Sequence, residues 1–511
     1  KRLIQKFSEW IIATRLEKRY TKNEIIAMYF NEFDFLNTAV GVHSAARIYF
    51  DKLPSELNIQ EAAMLVGMAK NPSIYNPVRR PERTLKRREV VLFQMKKNQI
   101  ISQQEYDSIR ALPLALDYHP ETHNTGLAPY FREHIRLQTK KVVKNNEILN
   151  EYGKPINLYS DGLKIYTSID SRVQRYAENA VEKHLKNSLQ ALLNKEIKRN
   201  KHWPFSNETS KTARANIINR AIKNSERYRK LKKQGASEKA IMDNFNTKQK
   251  INVFDWSAKT KLTERNISPL DSILYYKSIL RAGLVAIDPH TGFIKAWVGG
   301  INYRQFKYDC ANKSRRQVGS TMKPFVYAAA IESGRINLCT TFPDIKYCID
   351  IPFGNLTKQW CPGGQKNYSG KEIPIYFALA NSQNNITAQV IKETGGHNSR
   401  VVSYFESMGL WNESIEAVSS LGLGVCDLSV LNQTSAHCIF SNAGLHVEPI
   451  TIVRIEDKYG NLVWEPKQEV KQIVDPITAF SVLKMMKGVT GVVNPITGLS
   501  GGTARRLKSN K

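Results

Sequence analysis

Arg315-Arg316-Gln317-Val318-Gly319-Ser320-Thr321-Met322-Lys323-Pro324-Phe325 is the stretch on which the reading of this 511-residue chain turns. A serine hydroxyl is a poor nucleophile at neutral pH and needs a base within hydrogen-bond reach. Positions i and i+3 of a helix share a face, so the spacing predicts the Lys323 amine against the Ser320 oxygen. A lysine is a base only when neutral, and burial against Phe325 and Tyr327, with the positive end of the helix dipole, lowers its pKa. Gly319 permits a sharp turn into the helix, and Pro324 falls early enough to be tolerated. The chain carries its own control: Ser481 and Lys484 have the same spacing, but mid-helix and with no preceding glycine, and are read as ordinary packing.

Upstream, Leu284–Asp288 and Phe293–Val298 are apolar, β-branched runs joined by Pro-His-Thr-Gly, which predicts a hairpin. Downstream, helices are expected from Ser320, around 373–395 and over 429–440. A second hairpin (Ile452–Glu456, Leu462–Trp464) turns at Tyr459-Gly460-Asn461, and a late helix starts at Asp475-Pro476. Strands, then helices, then strands give an α+β domain from 283 to 511. Within it Ala380-Asn381-Ser382-Gln383-Asn384 lies between two helical patterns. Serine enzymes with a Ser-x-x-Lys helix use a Ser-x-Asn loop as a second wall of the cleft, which singles out Ser382 and Asn384; the competing reading of Ser382 is a helix N-cap.

Residues 1–112 read as consecutive helices. Phe7, Trp10 and Ile11 recur at helical spacing, and Asn58 with Glu61 and Ser102 with Glu105 form capping boxes. Residues 113–161 show little regular pattern and read as a linker. Over 162–282 a strand (Leu163–Ser168) and an amphipathic helix after Asp170 precede a tract rich in Lys, Arg and Asn, about 194–263, read as a solvated helical insertion.

The net charge of +29 suggests an anionic partner. No zinc-finger spacing, P-loop or aromatic-basic pattern of an RNA-binding sheet accompanies it, so nucleic acid is not the expected partner. No run of about 18 apolar residues occurs. None of the six cysteines shows CxxC spacing; Cys348 and Cys361 flank a loop as either a bridge or two free thiols.

The run Ala286-Ile287-Asp288-Pro289, Val298-Gly299-Gly300 and Arg316–Ser320, followed in order by Ser382-Gln383-Asn384, Ser420-Leu421-Gly422 and Asn442-Ala443-Gly444, closely resembles the transpeptidase domain of class A penicillin-binding proteins. The resemblance implies that Ser320 is acylated, that Lys323 is its base, that Ser382 and Asn384 form the second motif, and that Gln317 and Gly319 line the substrate site. The substrate would be the D-Ala-D-Ala end of a stem peptide, with β-lactams as mimics and no cofactor. Lys6-Phe7-Ser8-Glu9, Lys22-Asn23-Glu24-Ile25-Ile26, Tyr29-Phe30-Asn31, Ala45-Ala46 and Tyr75-Asn76-Pro77 are similar to the later motifs of the lysozyme-like peptidoglycan glycosyltransferases. By that likeness Glu9 matches the second family glutamate and Lys6 the lysine before it, a cation placed to stabilise a leaving pyrophosphate; for an isolated pair the plain reading is a surface ion pair. The likeness leaves room for a divalent cation in this part.

The expected protein is therefore multidomain, an all-α glycosyltransferase part followed by an α+β transpeptidase. Lipid II and nascent peptidoglycan are its partners, and it is held at the inner membrane by an N-terminal anchor, facing the periplasm. A penicillin-binding sensor or scaffold without turnover is the alternative. The family pattern is departed from at Gln5, where an arginine is usual. The first glycosyltransferase glutamate would precede Lys1, and the Lys-[Ser/Thr]-Gly strand would follow Gly502-Thr503-Ala504-Arg505-Arg506, past Lys511. The sequence is thus read as truncated at both ends and by itself impaired in both activities.

Overall fold

The computed structural model describes residues 2–119, 126–150, 153–158, 161–197, 199–258, 260–353, 356–362 and 368–509. Lys1, Lys511 and the side chain of Gln5 lie outside the described residues. The chain divides into two compact units, 1–126 and 127–511.

The first unit is helical: Arg2–Arg19, Lys22–Glu32, Val42–Phe50, Ile59–Met68, Pro81–Lys97 and Gln103–Arg110. Capping boxes open three of these, at Thr21/Glu24, Asn58/Glu61 and Ser102/Glu105, each satisfying amide donors that a helix start leaves unpaired. Phe35, Ala45, Ile48, Tyr49, Met64, Leu65 and Met68 form its main core. Arg88 is buried and donates to the carbonyls of Leu112 and Pro113, which fixes the chain leaving the last helix. Phe7, Trp10 and Ile11 share the first helix as their spacing predicts, yet all are exposed. Periodicity tells which residues share a helix face, not what covers it.

In the second unit the supposed linker holds a 17-residue helix, Pro129–Asn145. Its signal is Pro129 at the first helical position and the inward stripe Phe131, Ile135 and Thr139, partly hidden among exposed Arg and Lys. Lys164–Thr167 pairs antiparallel with Ile452–Glu456, which pairs in turn with Leu462–Trp464. The hairpin Leu284–Ile287/Ile294–Val298 is a separate two-stranded sheet, and an isolated parallel bridge between Phe293 and Ile450 links the chain just outside the two sheets. Ser168 Oγ donates across the junction to the carbonyl of Ile450 at 2.6 Å.

The basic tract is not purely helical. Helices Lys211–Asn224, Glu226–Lys233 and Glu238–Asn246 are followed by an antiparallel hairpin, Gln249–Phe254 with Leu262–Ile267. Ile222, Ile241 and Phe245 make a small core there. The strands escape a charge-based reading because only Val253 and Phe254 at one end are buried.

The helix Lys323–Glu332 is the centre of the unit. Every residue from Lys323 to Ala330 is buried, packed by the helices Asn384–Glu393, Ser399–Ser407 and Pro476–Lys487. A helix apolar on all sides belongs to a core, and the one cation in this stretch is Lys323.

Candidate active site

Ser320 lies on a 3-10 turn, Gly319–Met322, that leads into the α-helix beginning at Lys323. The turn is clasped from the side. Arg316–Gln317 pairs antiparallel with Asp427–Leu428, with Gln317 opposite Asp427. The Val318 and Gly319 amides donate to the carbonyls of Cys426 and Gly424 at 3.0 and 3.1 Å. Gly319 has φ +57°, a left-handed conformation that a glycine adopts without penalty. Beyond the serine, Gln433 Nε2 donates to the Thr321 carbonyl at 3.2 Å and to its Oγ1 at 3.0 Å. Ser320 itself is exposed. The residues ahead of it are pinned, and its hydroxyl is presented to solvent.

Lys323 is buried, and desolvation lowers its pKa from 10.5 to about 8. Nζ donates to the Ser382 carbonyl at 2.7 Å, to Ser382 Oγ at 3.1 Å and to Asn384 Oδ1 at 2.7 Å. These are the three donors of an ammonium group. None reaches Ser320 among the described residues, so the Lys323–Ser320 contact expected from the spacing is replaced by contacts with the second motif. The physical reason is the charge. A buried ammonium takes acceptors wherever they are offered, and only the neutral amine has a lone pair for the serine proton.

The second motif is built on a helix end. The helix Ile375–Ala380 stops at Asn381, and Ser382 follows with φ +56°. The Ser382 amide donates to the Leu379 carbonyl and the Gln383 amide to the Ala378 carbonyl, both at 3.0 Å. This is the Schellman pattern, in which glycine is usual at the left-handed position. A serine there costs about 1–2 kcal/mol, and a strained residue at such a site points to function. The N-cap reading of Ser382 is thus corrected: the N-cap of the next helix is Gln383, and Asn384 is its first residue.

Sequence reasoning did not single out several residues that hold this geometry. Asn385 Nδ2 donates to Asp344 Oδ1 at 2.9 Å, and Asp344 Oδ2 accepts from the amide and hydroxyl of Ser369. These bonds anchor the second-motif helix to the 343–371 segment, where Cys348 and Cys361 form a disulfide. Gly424 and Gln433 were missed because their roles depend on partners more than a hundred residues away. Ser481 lies buried in Pro476–Lys487 as part of the core.

In the first unit Lys6 Nζ and Glu9 Oε2 form an ion pair at 2.5 Å, with both side chains more than half exposed. Such a pair contributes little stability. Among the described residues, Asp51, Asp117 and His119 are close enough together to share a cation, and all three are exposed. Among these residues no helix is long and apolar enough to cross a membrane.

Three families match the chain: Transglycosylase over residues 1–96, Penicillin-binding protein middle domain over 200–280, and Penicillin binding protein transpeptidase domain over 282–506. Penicillin-binding protein 1A of Pseudomonas aeruginosa is 27% identical over 500 residues, covering 90% of this chain and 56% of that protein. Its namesake from Aquifex aeolicus is 28% identical over 481 residues, covering 92% and 61%. The chain thus spans a little over half the length of these curated relatives. The crystal structure of penicillin-binding protein 1A from Haemophilus influenzae shares the fold with a TM-score of 0.59 at 22% identity, covering 96% of this chain and 76% of that one. The helical transglycosylase match, the transpeptidase match that encloses Ser320, Lys323 and Ser382, and relatives spanning both together place the chain among the class A penicillin-binding proteins.

Proposed function

We propose that this chain works in peptidoglycan synthesis and that its 282–506 region cross-links stem peptides through an acyl-enzyme on Ser320. The observation that carries this is the buried Lys323 amine, with a pKa lowered to about 8, one helical turn after an exposed serine and bonded to Ser382 and Asn384. Neutral Lys323 takes the Ser320 proton as Oγ bonds to the carbonyl carbon of the penultimate D-alanine. The amide C–N bond then breaks, and the departing terminal D-alanine takes a proton passed from Lys323 by way of Ser382 Oγ. A second stem peptide's amine attacks the ester, and Ser320 recovers its proton. In this reading Gln317 and Gly319 border the nucleophile, and the Asn384 carboxamide, which accepts from Lys323, orients the substrate amide. A β-lactam enters the same step with its ring amide as the acyl donor.

Residues 1–96 belong to the same reading as part of a glycosyltransferase acting on lipid II, with Lys6 beside the leaving pyrophosphate and Glu9 as the second carboxylate. A divalent cation is compatible with that half. The protein would then work at the outer face of the inner membrane, where its +29 charge favours anionic lipid and pyrophosphate.

Intact mass after incubation of the full-length protein with a β-lactam tests the acyl-transfer step. One adduct, absent from Ser320→Ala, is expected. A folded wild-type protein that takes up no adduct overturns the reading.

A further inference from the structure

Asn381 belongs to neither motif, yet its carboxamide sits where three segments meet. Nδ2 donates to the Phe377 carbonyl at 2.9 Å, which also accepts the Asn381 backbone amide at 3.0 Å. Oδ1 accepts from the Gly502 amide at 2.8 Å. Next to it the Thr503 amide donates to the Ala380 carbonyl at 3.1 Å. The 501–503 segment is therefore held on the helix end by two bonds, one of them through the Asn381 side chain. The contact is close: a Cβ on Gly501 would lie 2.4 Å from Asn381 Nδ2 and 2.5 Å from Oδ1. The next residue is Ser382 in its left-handed conformation, whose carbonyl and hydroxyl both accept from Lys323.

We infer that Asn381 is a positioning residue for acyl transfer, its carboxamide locking the 501–503 segment to the turn that presents Ser382 and Asn384 to Lys323. Ser382 sits in a conformation its own backbone disfavours; the bonds of the turn and Lys323 hold it, and the 501–503 segment braces the same turn from the other side. With alanine at 381 the Gly502 amide loses its acceptor while the Phe377 carbonyl keeps its backbone donor, and the strained turn is freed on one side. A displacement of about 1 Å in a catalytic group can cost on the order of 10²-fold in rate. The inference rests on the acyl-transfer reading above.

The test is stopped-flow acylation of the full-length protein by a chromogenic β-lactam, resolving the non-covalent affinity, the acylation rate constant and the fraction of active sites. The variants are Asn381→Ala, Gly501→Ala and the two together. Asn381→Ala is expected to slow acylation about tenfold or more, with affinity and active fraction unchanged. Gly501→Ala alone drives a methyl group into the carboxamide and lowers the unfolding temperature. In the double variant that methyl occupies the vacated space, so the unfolding temperature recovers while acylation stays slow. A wild-type rate constant in Asn381→Ala, whatever the active fraction, overturns the inference, as does a rate that recovers with stability in the double variant. If the wild-type protein is not acylated, the functional reading falls and this inference with it; if only the variants behave as wild type, the inference alone falls.

Discussion

Lys323 Nζ donates to Asn384 Oδ1 at 2.7 Å, so the candidate base of the first motif is held by the second motif and not by the serine one turn before it. An ammonium with three acceptors is a resting state that must lose a proton before it can act. Of its three bonds the one to Ser382 Oγ is the longest, at 3.1 Å, and is the one expected to re-pair when the amine becomes neutral.

The rate of acylation should therefore follow the neutral fraction of Lys323. Its logarithm rises with pH at unit slope up to about 8 and levels above. Lys323→Arg, which stays charged, should lose about 10²–10⁴-fold across the range. Stopped-flow acylation at pH 6–10 checks both, and a flat profile in the wild type would exclude Lys323 as the base.

The same shift predicts a stability profile. The folded state releases the Lys323 proton near pH 8, whereas an unfolded lysine keeps it to about 10.4. Between those values the unfolded chain binds more protons, so stability rises with pH, by roughly 3 kcal/mol at most. Urea midpoints at pH 8 and 10.5, compared with those of Lys323→Met, isolate the contribution. Equal pH dependence in the two proteins would refute it.

Ser382→Gly should separate stability from function. Glycine takes the φ of +56° without strain, so relative to Ser382→Ala, which loses the same hydroxyl, the variant gains about 1 kcal/mol and about 2 °C in unfolding midpoint. It also loses the Oγ that accepts from Lys323, and acylation should fall. Calorimetry and acylation kinetics on Ser382→Gly and Ser382→Ala decide; a glycine variant no more stable than the alanine one would mean that the left-handed turn is not strained.

How much of this was legible in the sequence depends on the range of each interaction. Turn chemistry and caps are local, so the hairpin at 284–298, the helix after Asp475 and the boxes at Asn58 and Ser102 were all readable. The motif residues were readable too, because Ser320, Lys323, Ser382 and Asn384 are short-range patterns. Their pairing was not: helix geometry directs Lys323 to Ser320, while the buried charge directs it to acceptors about sixty residues on. The helix Pro129–Asn145 was missed because Arg132, Lys140 and Lys141 break up its apolar stripe. No local signal marks Gly424, Gln433 or Asn381.

Reducing the disulfide should destabilise without silencing. Cys348 and Cys361 are separated by 13 residues, and closing a loop of that length stabilises by about 3 kcal/mol. The bonds that tie this segment to the second-motif helix, from Asn385 to Asp344 and the Ile345 carbonyl and from Gln389 to the Pro343 carbonyl, lie outside the bridged 348–361 loop. Cys348→Ser/Cys361→Ser should therefore unfold at lower denaturant and be cleaved sooner by protease near this loop, while folded molecules keep their acylation rate constant. A rate constant that falls in parallel would place the bridged loop in the catalytic machinery.

Two glycines that face each other behind Ser320 should respond very differently to alanine. At Gly319 a Cβ meets nothing within 4 Å, so Gly319→Ala carries only the penalty for its φ of +57°, about 1 kcal/mol. At Gly424, with φ +79°, a Cβ would lie 1.9 Å from the Gly319 carbonyl oxygen and 2.4 Å from its amide nitrogen. Those atoms are backbone and cannot rotate aside, so the clasp on the Ser320 turn must open. Overpacking added to the conformational penalty amounts to ~3 kcal/mol or more. Gly424→Ala should thus lose both stability and acylation, whereas Gly319→Ala stays folded with a modest loss. Urea midpoints and acylation of the two variants side by side measure the difference. Equal behaviour would mean that the 424–428 segment does not hold Ser320 in place.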